Sequence, residues 1–325
     1  MSALILAVPS KGRLQEQVTH YLADAGLVLK QTAGARDYRA TIPGQPGIEV
    51  KLMSSPEIAA SLGAGQIHLG ITGEDLIRED VRDSEKTIAL LQPLGLGFAD
   101  VVVAVPRAWI DVATMADLDD VCTAFHVRHH RRLRVATKYI QLTRTFFAAH
   151  GIADYRIVES LGATEGAPAA GLAEAIVDIT TTGATLAAND LKVLDDGVIL
   201  KSQAQLAASL NAKWTKPALE AAERLTARIA ARELARRSYV LRVSLAKKAT
   251  GTLRALEADF GCSELAGNGG DARERLIVCP RDRLSDAMEF MRGKGVDASV
   301  VAEHADYIFN QANPLMRQLR TAIKR

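Results

Sequence analysis

The chain is predicted to be an α/β protein of several modules, and three features of its pattern carry that expectation. Short apolar runs with β-branched residues alternate with helical patterns through the first two-thirds. Residues 217–237 then read as one long helix, with proline at its start and no internal glycine or proline. From Ser238 onward the pattern becomes strand, helix, strand, strand, helix, strand.

In chain order, strands are expected at 4–8, 48–52 and 69–72, with helices at 14–25 and 56–64 between them. A strand at 101–105 precedes a second series: a strand at 134–136, a helix at 139–150, a strand at 155–159, a helix around 171–177 and a strand leading to Asp178. This alternation predicts parallel sheets covered by helices. In the long helix Arg224, Arg228, Arg232 and Arg236 recur every four residues, a positive stripe read as a solvated face. The last series places strands at 239–245, 276–279 and 298–302, a weak strand at 263–266, helices at 249–260 and 284–292, and a GNGG turn at 267–270. That order is βαββαβ, the ferredoxin-like arrangement.

At 325 residues the chain suits two or three domains, each able to bury its own core. Its net charge of +2 is a small difference between 40 basic and 38 acidic side chains, which predicts no long-range attraction to nucleic acid. The local cluster RHHRRLR at 128–134 lacks interleaved aromatics and reads as a solvated loop; its adjacent His129 and His130 lack metal-ligand spacing. Apolar runs fall short of a membrane span, and Lys11 and Arg13 follow the first apolar run, the reverse of a secretory signal. Cys122, Cys262 and Cys279 are scattered and odd in number, so a reducing cytoplasm and buried inert thiols are expected.

The chemistry concentrates in AIVDITTTGATL, residues 175–186, where an apolar strand runs into an acidic residue and then small hydroxyl residues around Gly183. A strand ending in such a loop before a helix start presents N–H groups and hydroxyls to a phosphate. Asp178 stands where a carboxylate would hold a ribose diol or a magnesium ion. The plainer alternative is a Thr-rich turn with Asp178 capping a helix. Neither GxxxxGK[ST] nor a convincing GxGxxG is present, which argues against a P-loop nucleotidase or a Rossmann dehydrogenase.

Residues 162–194, GATEGAPAAGLAEAIVDITTTGATLAANDLKVL, resemble the phosphoribosyl pyrophosphate signature of the ATP phosphoribosyltransferase family. RVATKYIQLTRTFFAAHGI at 134–152, GITGEDLI at 70–77 and SKGRL at 10–14 resemble that family's other segments in the same order. The resemblance covers most of the first 195 residues. It implies two α/β domains like those of periplasmic binding proteins, closing on a cleft, with a C-terminal ferredoxin-like (ACT-like) domain. By the motif match Thr181, Thr182, Gly183, Ala184 and Thr185 grip the 5-phosphate, Asp178 faces the ribose hydroxyls, and Glu165 orients a substrate. Lys11 and Arg13 would serve catalysis and Gly73, Glu74 and Asp75 would bind ATP; Asp75 alone reads equally as a helix N-cap. Many members carry an arginine before the GITG strand, whereas this chain has MSSPEIAA at 53–60.

The implied reaction joins N1 of ATP to C1 of phosphoribosyl pyrophosphate, with magnesium held mainly by the departing pyrophosphate and contacted further by Asp178. It opens histidine biosynthesis, and the long form implies feedback inhibition by histidine and assembly into dimers and hexamers. Expected boundaries are 1–104 with 195–220 for the first catalytic domain, 105–194 for the second, 221–237 for a connecting helix and 238–325 for the regulatory domain. A solute-binding protein with the same cleft, or a phosphoribosyltransferase for another base, are the alternatives.

Overall fold

The structure is a computed structural model that describes residues 3–31, 38–244, 250–265, 274–294, 300–310 and 312–324. The first series comprises β1 (Leu4–Pro9), α1 (Gly12–Asp24), β2 (Lys30–Gln31), β3 (Arg39–Thr41), β4 (Ile48–Met53), α2 (Ser55–Gly63), β5 (Leu69–Gly73), α3 (Glu74–Asp80), α4 (Ser84–Thr87) and β6 (Ile88–Pro93). Then follow β7 (Asp100–Pro106), α5 (Met115–His129), β8 (Leu133–Thr137), α6 (Ile140–Ala149), β9 (Tyr155–Glu159), β10 (Ala175–Thr180), α7 (Ala184–Ala188), β11 (Leu191–Leu200) and β12 (Ala204–Ser209). A seven-stranded sheet has the order β2-β3-β4-β1-β5-β12-β6, and a five-stranded sheet the order β11-β7-β10-β8-β9.

β1 lies inside the first sheet, with Leu4, Leu6, Ala7 and Val8 all buried, as expected of a strand covered on both faces. It pairs in parallel with β4, Leu4 opposite Ile48 through Pro9 opposite Met53. α2 packs closely on β5: a Cβ at Gly70 would lie 2.6 Å from Ile58 Cγ2. The chain passes from the first sheet to the second between β6 and β7 and returns between β11 and β12. These passages correct the expectation of parallel sheets. β12 runs antiparallel to both β5 and β6, and β7 antiparallel to both β10 and β11, so both sheets are mixed.

The helix expected around 171–177 is also corrected. Gly171 is left-handed at φ +67, and β10 begins at Ala175, pairing with β7 and β8. The apolar run that follows is a fully buried strand, which its periodicity alone does not distinguish from a helix segment. The basic cluster at 128–134 is held within this sheet's module. Glu174 accepts from Arg131 at 3.1 Å and from Arg134 at 2.7 Å, and Arg131 lies over the Phe125 ring.

The chain divides into two compact units: residues 1–19, 30–41 and 47–216, and residues 20–29, 42–46 and 217–325. In the second unit α8 (Lys216–Arg237) buries Ala218, Ala221, Ala222, Leu225 and Ile229, a helical stripe. The four arginines of the stripe are exposed or half-buried, as a solvated face requires, and three of them are also hydrogen-bonded. Arg224 donates to Pro46 O, Arg232 to Asp306 O, and Arg236 to the buried Glu233.

Next come β13 (Ser238–Ser244), α9 (Thr250–Phe260), β14 (Ser263–Glu264), β15 (Glu274–Pro280), α10 (Leu284–Gly293) and β16 (Val301–Glu303). They build an antiparallel sheet of order β14-β15-β13-β16. The GNGG turn, Leu245, Ala249, Ala266 and the expected strand start at Ala298 lie outside the described residues. The chain closes with α11 (Pro314–Ile323). Asn313 caps it and donates 2.8 Å to Thr226 Oγ1 of α8.

Candidate active site

At the end of β10, Thr180 Oγ1 accepts from the N–H of Gly183 at 2.8 Å and so closes a tight turn. Gly183 is left-handed at φ +74 and caps α7. Thr181, Thr182, Ala184 and Thr185 are exposed around it, and the Thr181 hydroxyl donates 3.1 Å to Phe98 O in the passage between sheets. The turn is thus a contiguous set of hydroxyls and backbone ahead of a short helix, suited to a phosphate.

Asp178 lies just ahead of this turn, half-buried on β10, with its Oδ1 accepting from Ile179 N–H at 2.8 Å. Burial raises its carboxyl above the ordinary value and the negative charge of Glu165 adds to this, whereas the Ile179 bond and Lys138 oppose it. Glu165 comes from the 3₁₀ turn Thr164–Gly166, entered through Ala163 in a left-handed conformation at φ 50. A non-glycine residue there is strained, and strain of this kind concentrates at functional turns.

Lys138 and Tyr139 follow β8, with the Lys138 ammonium 4.9 Å from the Tyr139 ring centroid. The buried Tyr139 hydroxyl donates 2.8 Å to Asp75 Oδ2. Ser202, between β11 and β12, donates 2.8 Å to Asp75 Oδ1, and Asp75 N–H returns a 3.0 Å bond to Ser202 Oγ. Burial, then the carboxylate of Asp75, raises the Tyr139 phenol far above its ordinary value.

Gly73, Glu74 and Asp75 occupy the junction of β5 and α3. The Asp75 carboxylate folds back over the Gly73 Cα, leaving no room for a Cβ there. Glu74 is held by Gln205 at 2.9 Å and by Arg78. Lys11 and Arg13 are exposed at the start of α1; Lys11 acts on Glu57, whose carboxyl is lowered chiefly by the Ser54 hydroxyl and N–H. The MSSPEIAA stretch therefore closes a helix start by a capping box. Neither Lys11 nor Arg13 is among the charges acting on Asp178 or Tyr139.

The fold thus gathers Asp178, Glu165 and the Thr-rich turn, and adds Lys138, Tyr139 and Ser202, which motif reading left without a role. Lys138 and Tyr139 follow directly on a buried strand, a position where α/β sheets present their ligand-binding groups, and that placement was the available signal. Ser202 carries no local signal. A depression of ≈ 640 Å³ lined in part by Arg78, Glu79, Arg82, Lys86 and Gln141 includes none of the residues expected to bind substrate. There Glu79 caps α6 by accepting from Gln141 and Leu142 N–H. Among the described residues no three His, Cys, Asp or Glu side chains gather to hold a metal, and no helix is long and apolar enough to cross a membrane.

The sequence profile of a family described as ATP phosphoribosyltransferase matches residues 54–231. The ATP phosphoribosyltransferase of Rhodopseudomonas palustris (strain BisB18) is 53% identical over 320 residues, 98% of each chain. That of Bradyrhizobium diazoefficiens is 52% identical over 326 residues, 100% of each chain. An ATP phosphoribosyl transferase (HisG:HisZ) complex from Thermotoga maritima contains a similar chain, with TM-score 0.52, 25% identity, and coverage of 70% of this chain and 97% of that one.

Proposed function

The chain belongs to the ATP phosphoribosyltransferase family, and on that premise we propose how its residues share the transfer of phosphoribosyl from phosphoribosyl pyrophosphate to N1 of ATP. That transfer releases pyrophosphate and is the first step of histidine biosynthesis. The observation that carries the assignment of the site is the turn after β10, where Gly183, the exposed threonines and the half-buried Asp178 stand together.

In this reading Thr181, Thr182, Gly183, Ala184 and Thr185 seat the 5-phosphate, and Asp178 receives the ribose hydroxyls. Glu165, whose charge acts on Asp178, orients the sugar, and the Lys138 cation offsets charge gathering at the departing pyrophosphate. The Asp178 carboxylate offers a hard oxygen donor to magnesium that arrives on the substrate pyrophosphate. Bound that way, magnesium lowers the charge of the leaving group. N1 attacks with its own lone pair, so no serine or cysteine nucleophile is needed; the side chains position, neutralise and exclude water.

Gly73 and Glu74 face ATP in this reading. Asp75, whose two oxygens are engaged by Tyr139 and Ser202, positions the second-sheet residues from the first-sheet side. Lys11 and Arg13, exposed at the start of α1, serve the triphosphate or pyrophosphate. The two passages between sheets support cleft closure of the periplasmic-binding-protein kind. The antiparallel order β14-β15-β13-β16 supports a ferredoxin-like, ACT-like domain that senses histidine. The solution assembly is expected to be dimeric or hexameric.

The test is turnover with ATP, phosphoribosyl pyrophosphate and magnesium, with pyrophosphatase present to draw the equilibrium forward. Wild-type protein forms phosphoribosyl-ATP and pyrophosphate; Asp178→Asn raises KM for phosphoribosyl pyrophosphate and lowers kcat, and wild-type kinetics in that variant would remove Asp178 from the site. Histidine at millimolar concentration inhibits the full chain, and unchanged kinetics would overturn the sensing role.

A further inference from the structure

The C-terminal sheet brings two cysteines face to face. β14 pairs with β15 as Ser263 opposite Val278 and Glu264 opposite Ile277, and the same antiparallel register sets Cys262 opposite Cys279. Leu265 N–H donates to Leu276 O, so 265/276 and, two residues on, 263/278 are the hydrogen-bonded positions of this ladder. Cys262/Cys279 is therefore a position of the other kind, where Cα atoms approach to roughly 4.5 Å. Cys262 accordingly sends its own N–H elsewhere, to Leu256 O near the end of α9. A separation of that size lies within the roughly 4.4–6.8 Å that a disulfide spans, so a bond between them needs little backbone movement.

Both residues belong to one buried cluster, and the Cys279 thiol donates to Pro280 O at 3.5 Å. Cys262 also lines a surface cavity of ≈ 180 Å³ together with Leu253, Glu257, Ser263, Glu264 and Ile277. One residue of the pair, itself only 3% exposed, therefore borders a surface cavity. Cys122 lacks these features; it lies in the core of the five-stranded sheet, and burial pushes its thiol up to about 12.

We propose that Cys262 and Cys279 are a reversible oxidation site, closed to an intramolecular disulfide by a small disulfide oxidant such as oxidised glutathione. The Cys262 thiolate attacks one sulfur of the oxidant, forming a mixed disulfide and releasing one glutathione thiolate. The Cys279 thiolate then attacks the Cys262 sulfur, the mixed bond breaks, and a second glutathione leaves. Two thiol protons and two electrons pass from the protein, and the oxidant is reduced to two thiols. The order of attack agrees with position, since Cys262 lines the cavity whereas Cys279 is fully buried and does not. The product ties edge strand β14 to β15 and closes the loop between them. In a reducing compartment the pair rests as two thiols, which agrees with a switchable site and not a permanent crosslink.

The test is oxidation of the folded full chain by excess oxidised glutathione, read by thiol titration, intact mass and peptide mapping. The expected result is a fall from three titratable thiols to one, a mass lower by two hydrogens with no glutathione retained, and a Cys262 peptide linked to a Cys279 peptide. Dithiothreitol restores all three thiols. Cys279→Ser, which leaves the attacking sulfur alone, retains one glutathione on Cys262. Unchanged mass after prolonged oxidation, separate glutathione adducts on both cysteines, or a link involving Cys122 would overturn the proposal.

Discussion

The hydroxyl of Tyr139 donates to Asp75 Oδ2 across 2.8 Å, and both side chains are buried. The opposite oxygen of that carboxylate is held by Ser202. One carboxylate therefore joins the end of β5, the segment after β8 and the second passage between sheets. Tyr139→Phe leaves Oδ2 buried without a donor and is expected to destabilise the protein by about 1–3 kcal/mol. Ser202→Ala acts on the other oxygen of the same group, so the double variant departs from additivity by more than ~0.5 kcal/mol. Urea unfolding of the four proteins measures both terms, and strict additivity would show that the carboxylate does not couple the segments.

The Gly183 turn is expected to tolerate asparagine better than alanine. A Cβ at Gly183 meets nothing within 4 Å, so the penalty is conformational, arising from φ +74, and not steric. Gly183→Ala should cost about 1 kcal/mol and raise KM for phosphoribosyl pyrophosphate, and Gly183→Asn should recover part of both because asparagine enters the left-handed region more readily. Equal losses in the two variants would place the requirement elsewhere than in backbone conformation.

Lys138 is the positive charge that holds the Asp178 carboxyl down against burial and Glu165. Its removal in Lys138→Met lets that carboxyl rise further. If the ionised Asp178 is the active form, the acid limb of the kcat/KM profile moves to higher pH, with the loss largest at acid pH and shrinking toward neutrality. A profile that falls uniformly without moving its acid limb would separate Lys138 from Asp178.

Glu174 supplies a stability signature at low pH. Burial alone would raise its carboxyl, but hydrogen bonds from the Arg134 side chain and N–H, and from Arg131, hold it at about 2. A folded value below the ordinary 4.5 means that the contribution is fully present above about pH 4.5 and is lost as pH falls through about 2. Glu174→Gln should flatten that part of the stability profile measured by denaturant titration between those limits. A variant with the wild-type acid dependence would show that another carboxylate carries it.

The alternation of apolar runs and helical patterns was enough to locate β1, β4, β5, β7, β8 and β9, because strands buried between helices read as short continuous apolar segments. It was not enough for residues 171–177, where a buried strand and a helix segment carry the same apolar signal and hydrogen-bonded pairing with β7 decides between them. Sheet direction was equally out of reach: whether β12 runs with or against β5 depends on where the returning chain finds an unpaired edge.

The Thr-rich turn and Asp178 were legible because a phosphate seat is built from consecutive residues. Asp75, Tyr139 and Ser202 meet across 64 and 127 residues, and the Cys262/Cys279 pair depends on a strand register. No local periodicity encodes such meetings. They follow from how the sheets pair and how the chain passes between them, so composition and motif could name the chemistry, while packing chose the side chains that hold it in place.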